Sequence, residues 1–135
     1  MRHLFLDANC LFTAAHNPAG KASLIIRLGG EGHWLLSTSD YAIEEARRNL
    51  ARKAPDCLAA FTEQQSGLRI VAGTGAGANP LALPEKDAPI FEAARRADAS
   101  HLLTGDIQHF GHWMNRADQT GGILIQTVAD FLASL

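Results

Sequence analysis

Short aliphatic runs recur along the chain, and between them apolar residues follow a helical spacing. Five of these runs are continuous rather than alternating, which is typical of strands buried inside a parallel sheet. We predict strands at His3–Leu6, Trp34–Ser37, Arg69–Ala72, His101–Thr104 and Gly122–Gln126.

Six helices are predicted between and after these strands, at Lys21–Leu28, Asp40–Lys53, Asp56–Gln65, Ala88–Ala97, Ile107–Arg116 and Val128–Leu135. Ser39 is a suitable N-cap for the second of them, and Gly29 and Gly30 end the first. Because strands and helices alternate, the pattern predicts an α/β fold with a mostly parallel sheet.

The composition is that of an ordinary globular chain. A length of 135 residues predicts a single domain over positions 1–135, and 47% hydrophobic residues suffice for a core. The net charge of −2 argues against a broad basic surface that would hold nucleic acid. Two cysteines form no disulfide framework, and no apolar run is long enough to span a membrane. We therefore expect a cytoplasmic protein that does not associate with a membrane.

The glycine-rich run GTGAGANP, Gly73–Pro80, superficially resembles a phosphate-binding loop. No Gly-Lys-Ser/Thr follows it, and no helix opens directly from it. We therefore interpret it as a flexible connector to the next helix.

Acidic residues follow the predicted strands or begin the predicted helices. Asp7 comes directly after the first strand, Asp106 lies two residues after the fourth, and Asp87 precedes the fourth helix. Glu44 and Glu45 lie in the second helix. Because parallel strands share one carboxyl edge, and open α/β sheets bind their ligands there, these acids could gather in space.

Such a gathering requires neutralisation. Two carboxylates about 5 Å apart repel each other by roughly 3 kcal/mol at an effective dielectric near 20. Bound cations or raised pKa values would relieve this, and oxygen ligands favour Mg²⁺ or Mn²⁺. Such ions can clamp a phosphodiester and activate water, so the pattern indicates phosphoryl chemistry on a polyanion.

Each acid also has a purely structural interpretation. The three aspartates could cap a turn or a helix. Glu44 is spaced for an i,i+4 pair with Arg48. Helical periodicity alone leaves open whether Glu44 or Glu45 faces the cluster.

Four segments, in order, resemble the PIN-domain family of metal-dependent nucleases. They are FLDANCLF, TSDYAIEEARRNL, PEKDAPIFEAARRADASHLLTGDIQHF and GILIQTVADFLASL. In the second segment, the positions of Ser39 and Leu50 select Glu45 over Glu44 as the family's glutamate. Together the segments span nearly the whole chain.

The resemblance implies a three-layer α/β/α sandwich around a mostly parallel five-stranded sheet. It implies one or two Mg²⁺ or Mn²⁺ ions held by four residues that would also be catalytic: Asp7, Glu45, Asp87 and Asp106. Asn9 would support Asp7, and Thr104 would position an acid or a water molecule.

The activity that the resemblance implies is endonucleolytic cleavage of RNA with water as the nucleophile. Many small members of the family are toxins of bacterial toxin–antitoxin pairs, the VapC-like group, and many of those dimerise. An RNA substrate, an antitoxin protein and a second copy of the chain are therefore the expected partners.

Basic residues and histidines near the acids have two interpretations each. Arg47, Arg48 and Arg52 could form a solvated helix face or guide an RNA backbone. His109 and His112 are spaced for a metal, but no third ligand of matching type is evident, so packing or surface roles are favoured.

Two other classes of function remain open. An aspartyl-phosphate phosphotransferase or receiver-like domain could use Asp7 as its nucleophile, and trapping with beryllofluoride would indicate it. A catalytically silent PIN-like interaction module would show no binding of Mg²⁺ or Mn²⁺ in calorimetry.

Overall fold

The computed structural model of the protein describes residues 1–73 and 79–135. The connector predicted at Gly73–Pro80 lies outside the described residues at positions 74–78. Five strands form one parallel sheet in the order β3-β2-β1-β4-β5. They are β1 (His3–Leu6), β2 (Leu35–Ser39), β3 (Arg69–Val71), β4 (His101–Leu103) and β5 (Leu124–Gln126).

Seven α-helices lie within the described ranges: α1 (Ala8–His16), α2 (Lys21–Gly30), α3 (Asp40–Lys53), α4 (Leu58–Gln64), α5 (Ala88–Arg96), α6 (Ile107–Phe110) and α7 (Val128–Ala133). Short 3₁₀ segments occur at Pro55–Cys57, Gln65–Gly67, Gly111–Trp113 and Ala117–Gln119. In residues 1–73 and 79–135, no helix combines the length and the apolar character needed to cross a membrane.

The helices cover both faces of the sheet, which gives the predicted three-layer α/β/α sandwich. Because right-handed crossovers place the β1-to-β3 connections on one face, α5 crosses back to β4 on the other. The central strand β1 is fully buried, with Leu4, Phe5 and Leu6 at most 1% exposed. Continuous aliphatic strands are what such double coverage requires, so the predicted fold class is confirmed.

The observed helices differ from the predicted ones in two places. Helix α1, which begins directly at Ala8, was not among the predicted helices. The helix predicted at Ile107–Arg116 ends at Phe110 and continues only as a 3₁₀ segment. Beyond it, Asn115 has a φ of 60° and donates its backbone N–H to Ile125 at 2.9 Å, so this segment lies along β5 instead of continuing the helix.

The sheet reverses its strand order at β1. The chain passes from β1 to β2 and β3 on one side, and β4 and β5 extend the sheet on the other. A crevice opens at such a reversal, beyond the carboxyl ends of the two diverging strands. Here those ends are Leu6 and Leu103, which are paired in register, so Asp7 and Thr104 are the first residues beyond them.

Candidate active site

Asp7 lies at the crevice and is held by hydrogen bonds on both carboxylate oxygens. Its Oδ1 accepts from the backbone N–H of Ala8 at 2.6 Å, so the side chain also caps α1. Its Oδ2 accepts from the Thr104 hydroxyl at 2.7 Å and from the Asn9 amide at 3.2 Å. With 4% of the residue exposed, this carboxylate is buried but well supplied with donors.

Asn9 and Thr104 join the end of β1 to the turn after β4. Asn9 Oδ1 accepts from the backbone N–H of Gly105 at 2.7 Å, and its amide also donates to Thr104 Oγ1 at 3.2 Å. The same Thr104 oxygen accepts from the backbone N–H of Asp106 at 3.1 Å. Asn9 thus donates to the carboxylate of Asp7, and Thr104 hydrogen-bonds to both Asp7 and Asp106.

Burial raises the pKa of Asp7 to about 6. The hydrogen bonds from Thr104 and Ala8 act in the opposite direction, and the charges of Glu45 and Asp87 raise the pKa further. Desolvation and like charge both disfavour the ionised form, which a cation in the cleft would favour.

A second group of side chains surrounds Asp106. This residue caps α6, because its Oδ1 accepts from the backbone N–H of His109 at 3.1 Å. Its Oδ2 lies 2.8 Å from His109 Nδ1, and Asp87 Oδ2 lies 2.8 Å from the same nitrogen. Ligand atoms of Asp87, Asp106 and His109 therefore fall within 4.8 Å of one another.

Asp87 differs from the other two aspartates in its lack of donors. It stands at the N-cap position of α5, but its side chain makes no capping hydrogen bond. Its buried Oδ2 accepts no hydrogen bond, although the ring of His109 is close. Burial raises the pKa of Asp87, the nearby His109 lowers it, and Asp106 raises it again.

The glutamates of α3 separate into one surface residue and one residue of the cleft. Glu44 is exposed and forms an ion pair with Arg47, one residue before the predicted partner Arg48. Glu45 is half-buried and lines the cleft. Its neighbour Ala46 belongs to the buried stripe of the helix, which turns Glu45 towards the sheet edge.

The four predicted acids line one cleft of about 730 Å³: Asp7, Glu45, Asp87 and Asp106. They come from four different parts of the chain, as expected for residues that meet at the carboxyl edge of a parallel sheet. The cleft continues past Asn9 to Thr13, Asn17 and Lys21, and ends at the start of α7. Its size is in the usual range for ligand sites, and its acidic end is suited to a cation rather than to an anion.

The acidic end fits a divalent metal ion. Its donors are carboxylate oxygens, which Mg²⁺ and Mn²⁺ prefer. Asp87 Oδ2 is buried and accepts no well-directed hydrogen bond, although His109 Nδ1 lies 2.8 Å away, so a bound cation or a proton would stabilise it. Asp7 can also contribute through Oδ1, which accepts one hydrogen bond and keeps a second lone pair, whereas its Oδ2 already accepts two.

Comparisons with known proteins show the fold. No protein-family model and no curated protein sequence matches the chain. Among solved structures, a chain of VapBC2 from Rickettsia felis, bound to a DNA fragment from their promoter, is similar at 13% identity. The match has a TM-score of 0.64 and covers 93% of this chain and 98% of that one.

A second similar structure is VapC20 of Mycobacterium tuberculosis, described as a Sarcin-Ricin loop cleaving toxin. It has a TM-score of 0.52 and 14% identity, and the match covers 73% of this chain and 86% of that one. The chain has a VapC-like PIN-domain fold. Sequence identity this low supports the fold alone.

Within this VapC-like fold, His109 is the residue whose position the sequence did not reveal. Sequence reasoning favoured a packing or surface role for His109, and the structure places its ring between two acids. A surface role suits His112, which is exposed. Its ring lies edge-on to that of Trp113, with 4.7 Å between the ring centroids. The i,i+3 spacing of Asp106 and His109 at a helix start was the available signal.

The predicted RNA-binding arginines lie on the outer face of α3. Arg47, Arg48 and Arg52 are exposed, and none of them lines the cleft. Arg47 pairs with Glu44, and Arg52 donates to Asn49 Oδ1 at 3.1 Å. The cations on the cleft wall are instead two lysines that sequence reasoning passed over, Lys21 and Lys86.

Proposed function

We propose that this protein is a divalent-metal-dependent endoribonuclease that hydrolyses RNA phosphodiester bonds. The observation that carries the proposal is the convergence of four carboxylates in one cleft at the reversal point of the sheet. The VapC-like fold supports it, because one protein of that fold is described as a Sarcin-Ricin loop cleaving toxin. An acid-lined cleft binds a polyanion only when cations neutralise its charge.

The proposed ligands are Asp7, Glu45, Asp87 and Asp106, which would hold one or two Mg²⁺ or Mn²⁺ ions. When bound, such ions supply positive charge for the phosphate and lower the pKa of water. Asn9 and Thr104 orient Asp7 through the hydrogen bonds that they donate to its carboxylate.

Substrate positioning is assigned to the cationic side chains nearest the cleft. Lys21 and Lys86 are exposed on its wall, where they would attract the phosphates on either side of the scissile bond. Arg47, Arg48 and Arg52 lie further out and would contact only a longer RNA. Contacts to phosphates position a strand without selecting its sequence.

The biological setting we propose is that of a cytoplasmic toxin in a toxin–antitoxin pair. Both similar structures belong to VapC-type systems, and one is a VapBC2 structure on promoter DNA. An antitoxin protein would then be the partner that restrains the enzyme, and a second copy of the chain would complete a homodimer.

The two other classes of function receive less support from the structure. An aspartyl-phosphate enzyme needs an accessible nucleophile, but Asp7 is 4% exposed and both of its oxygens accept hydrogen bonds. A silent interaction module has no need of four clustered acids. The unsatisfied Oδ2 of Asp87 favours a cleft that binds metal.

The adjacent glutamates of α3 provide a matched test. Glu45→Gln should lower cleavage of a structured RNA by about 100-fold or more, because several kcal/mol of transition-state stabilisation depend on a correctly held metal. Glu44→Gln, one residue away on the surface, should retain activity within about twofold, the effect of losing a weak exposed ion pair.

The assay measures initial cleavage rates of a labelled RNA hairpin with Mg²⁺, with Mn²⁺ and with EDTA. Cleavage should require a divalent ion and should produce internal cuts. Equal rates for the two variants, or cleavage that survives EDTA, would overturn the proposal.

A further inference from the structure

An imidazole nitrogen lies among the proposed carboxylate ligands. His109 Nδ1 is 2.8 Å from Asp87 Oδ2 and 2.8 Å from Asp106 Oδ2. The proposed ligand set contains only oxygen, so the role of this nitrogen is a separate question. The three side chains come from the start of α5 and from α6, which fixes the nitrogen on the same side of the cleft as the two acids.

Hydrogen bonding alone does not satisfy this arrangement. Nδ1 can carry only one proton, and carboxylate oxygens of both Asp106 and Asp87 lie 2.8 Å from it, so one proton cannot serve both fully. Asp87 Oδ2 at the same distance remains buried without a hydrogen bond. A small cation between the three atoms would satisfy both carboxylates and the nitrogen lone pair together.

The spacing of the three atoms suits direct coordination. Ligands at right angles around an ion, with bonds of about 2.1 Å, lie roughly 3 Å apart. The two nitrogen-to-oxygen separations of 2.8 Å are close to this value, and all three atoms lie within 4.8 Å of one another. Small side-chain adjustments would therefore suffice to admit an ion.

We propose that His109 is a direct metal ligand through Nδ1, together with Asp87 and Asp106, and that it makes this site select a first-row transition ion over Mg²⁺. The inference rests on the proposed function, because the ion would occupy the acidic end of the same cleft. The ligating ring is neutral, with its proton on Nε2 and its Nδ1 lone pair directed at the ion.

The selectivity follows from the chemistry of the donors. Mg²⁺ prefers oxygen ligands in a strict octahedron and gives up its water reluctantly, so a nitrogen ligand gains it little. Imidazole is a good ligand for transition ions, and carboxylates suit Mn²⁺. A mixed set of two carboxylates and one imidazole therefore favours the transition ion, for which Mn²⁺ is a spectroscopic probe.

The test combines calorimetry with pulsed electron paramagnetic resonance on the full chain. Bound Mn²⁺ should show the hyperfine coupling of a directly attached ¹⁴N nucleus, and labelling the histidines with ¹⁵N should change that coupling. His109→Gln should remove the signal and weaken Mn²⁺ binding by at least about 10- to 100-fold, the range seen when a residue that only hydrogen-bonds to a metal ligand is lost. Mg²⁺ binding should weaken by no more than about threefold.

His112→Gln is the matched control, because His112 lies three residues further on and outside the acid cluster. It should retain the nitrogen coupling and the Mn²⁺ affinity of the unchanged chain. The labelled, unsubstituted protein gives the spectroscopic answer even if His109→Gln does not fold.

The outcomes separate this inference from the function on which it rests. Mn²⁺ binding without nitrogen coupling, or with a coupling that persists in folded His109→Gln, overturns the role of His109 and leaves the nuclease proposal standing. If the unchanged chain binds neither Mn²⁺ nor Mg²⁺, both proposals fail. Equal affinities for the two ions would overturn the selectivity.

Discussion

Asp7 and Asp87 lie in the same cleft and are buried to a similar degree, 4% and 7% exposed, but their surroundings differ. Asp7 accepts hydrogen bonds from a backbone N–H, a hydroxyl and an amide. Asp87 makes no capping hydrogen bond and has an oxygen without a donor, beside the ring of His109.

The difference indicates that the two sides of the cleft have different roles. Donors around Asp7 fix the direction of its carboxylate before any ion binds, which is how a preorganised site avoids rearrangement. Asp87 and Asp106 form the side whose charge is incompletely satisfied within the protein. We infer that the first side sets geometry and that the second depends more strongly on a bound cation.

The largest effect should come from removing the charge of Asp7. Asp7→Asn preserves the shape of the side chain but loses a proposed metal ligand, so cleavage should fall by about 1,000-fold, equivalent to roughly 4 kcal/mol. The fold should survive, because the change removes a buried charge rather than a packing group. Initial cleavage rates and thermal unfolding measure the two effects.

Asp118→Asn is the control, since Asp118 is exposed and outside the cleft. It should cleave at the rate of the unchanged chain. If Asp7→Asn kept more than about a tenth of the activity, Asp7 would not be a ligand, and the distinction between the two sides would lose its basis.

A smaller effect is expected on the stability of the metal-free protein. The pKa of Asp7 rises from 3.8 to about 6 on folding, so between these values the folded chain holds a proton that the unfolded chain has released. The stabilisation is complete below about pH 4 and is lost as the pH rises through about 6, by at most about 3 kcal/mol. Asp87, whose pKa is also raised, acts in the same direction.

Urea unfolding in EDTA at several pH values measures this loss as the difference between the unchanged chain and Asp7→Asn. Comparing the two chains is necessary because burial lowers the pKa values of His3 and His101. These two histidines make stability rise with pH, whereas Asp7 makes it fall, and their contribution cancels in the comparison. Adding Mn²⁺ at pH 7 should restore the lost stability. A difference that does not change with pH would show that Asp7 ionises as freely as in the unfolded chain.

Much of the fold was predictable because buried parallel strands leave a strong local signal. All five predicted strands overlap the observed ones, and β1 and α3 have the predicted limits. Helix α1 gave no such signal, since Asp7 marks the end of a strand and the start of a helix at once. The turn at Asn115 depends on a backbone hydrogen bond to β5, which no local pattern contains.

The site was predictable to the extent that the carboxyl edge of a parallel sheet brings together the residues at the strand ends. That rule anticipated Asp7 and Asp106, and the structure places Asp87 and Glu45 in the same cleft. It did not anticipate His109, whose second partner is an acid from another helix. Contacts between side chains of different helices depend on packing, and sequence spacing does not record them.

The substitution with the smallest expected effect tests whether hydrogen-bond donors alone distinguish Asp7 from Asp87. Thr104→Val keeps the buried volume but removes the hydroxyl that donates to Asp7 and accepts from Asp106, which should cost about 1–3 kcal/mol of stability and about tenfold in cleavage. Because that hydrogen bond lowers the pKa of Asp7, its loss should raise the pKa, and the pH at which stability is lost should move upwards.

Thr104→Ser, which keeps the hydroxyl, should leave that midpoint in place. If the valine variant lost stability without moving the midpoint, the Thr104 hydroxyl would not act on the charge of Asp7, and burial would govern both aspartates alike.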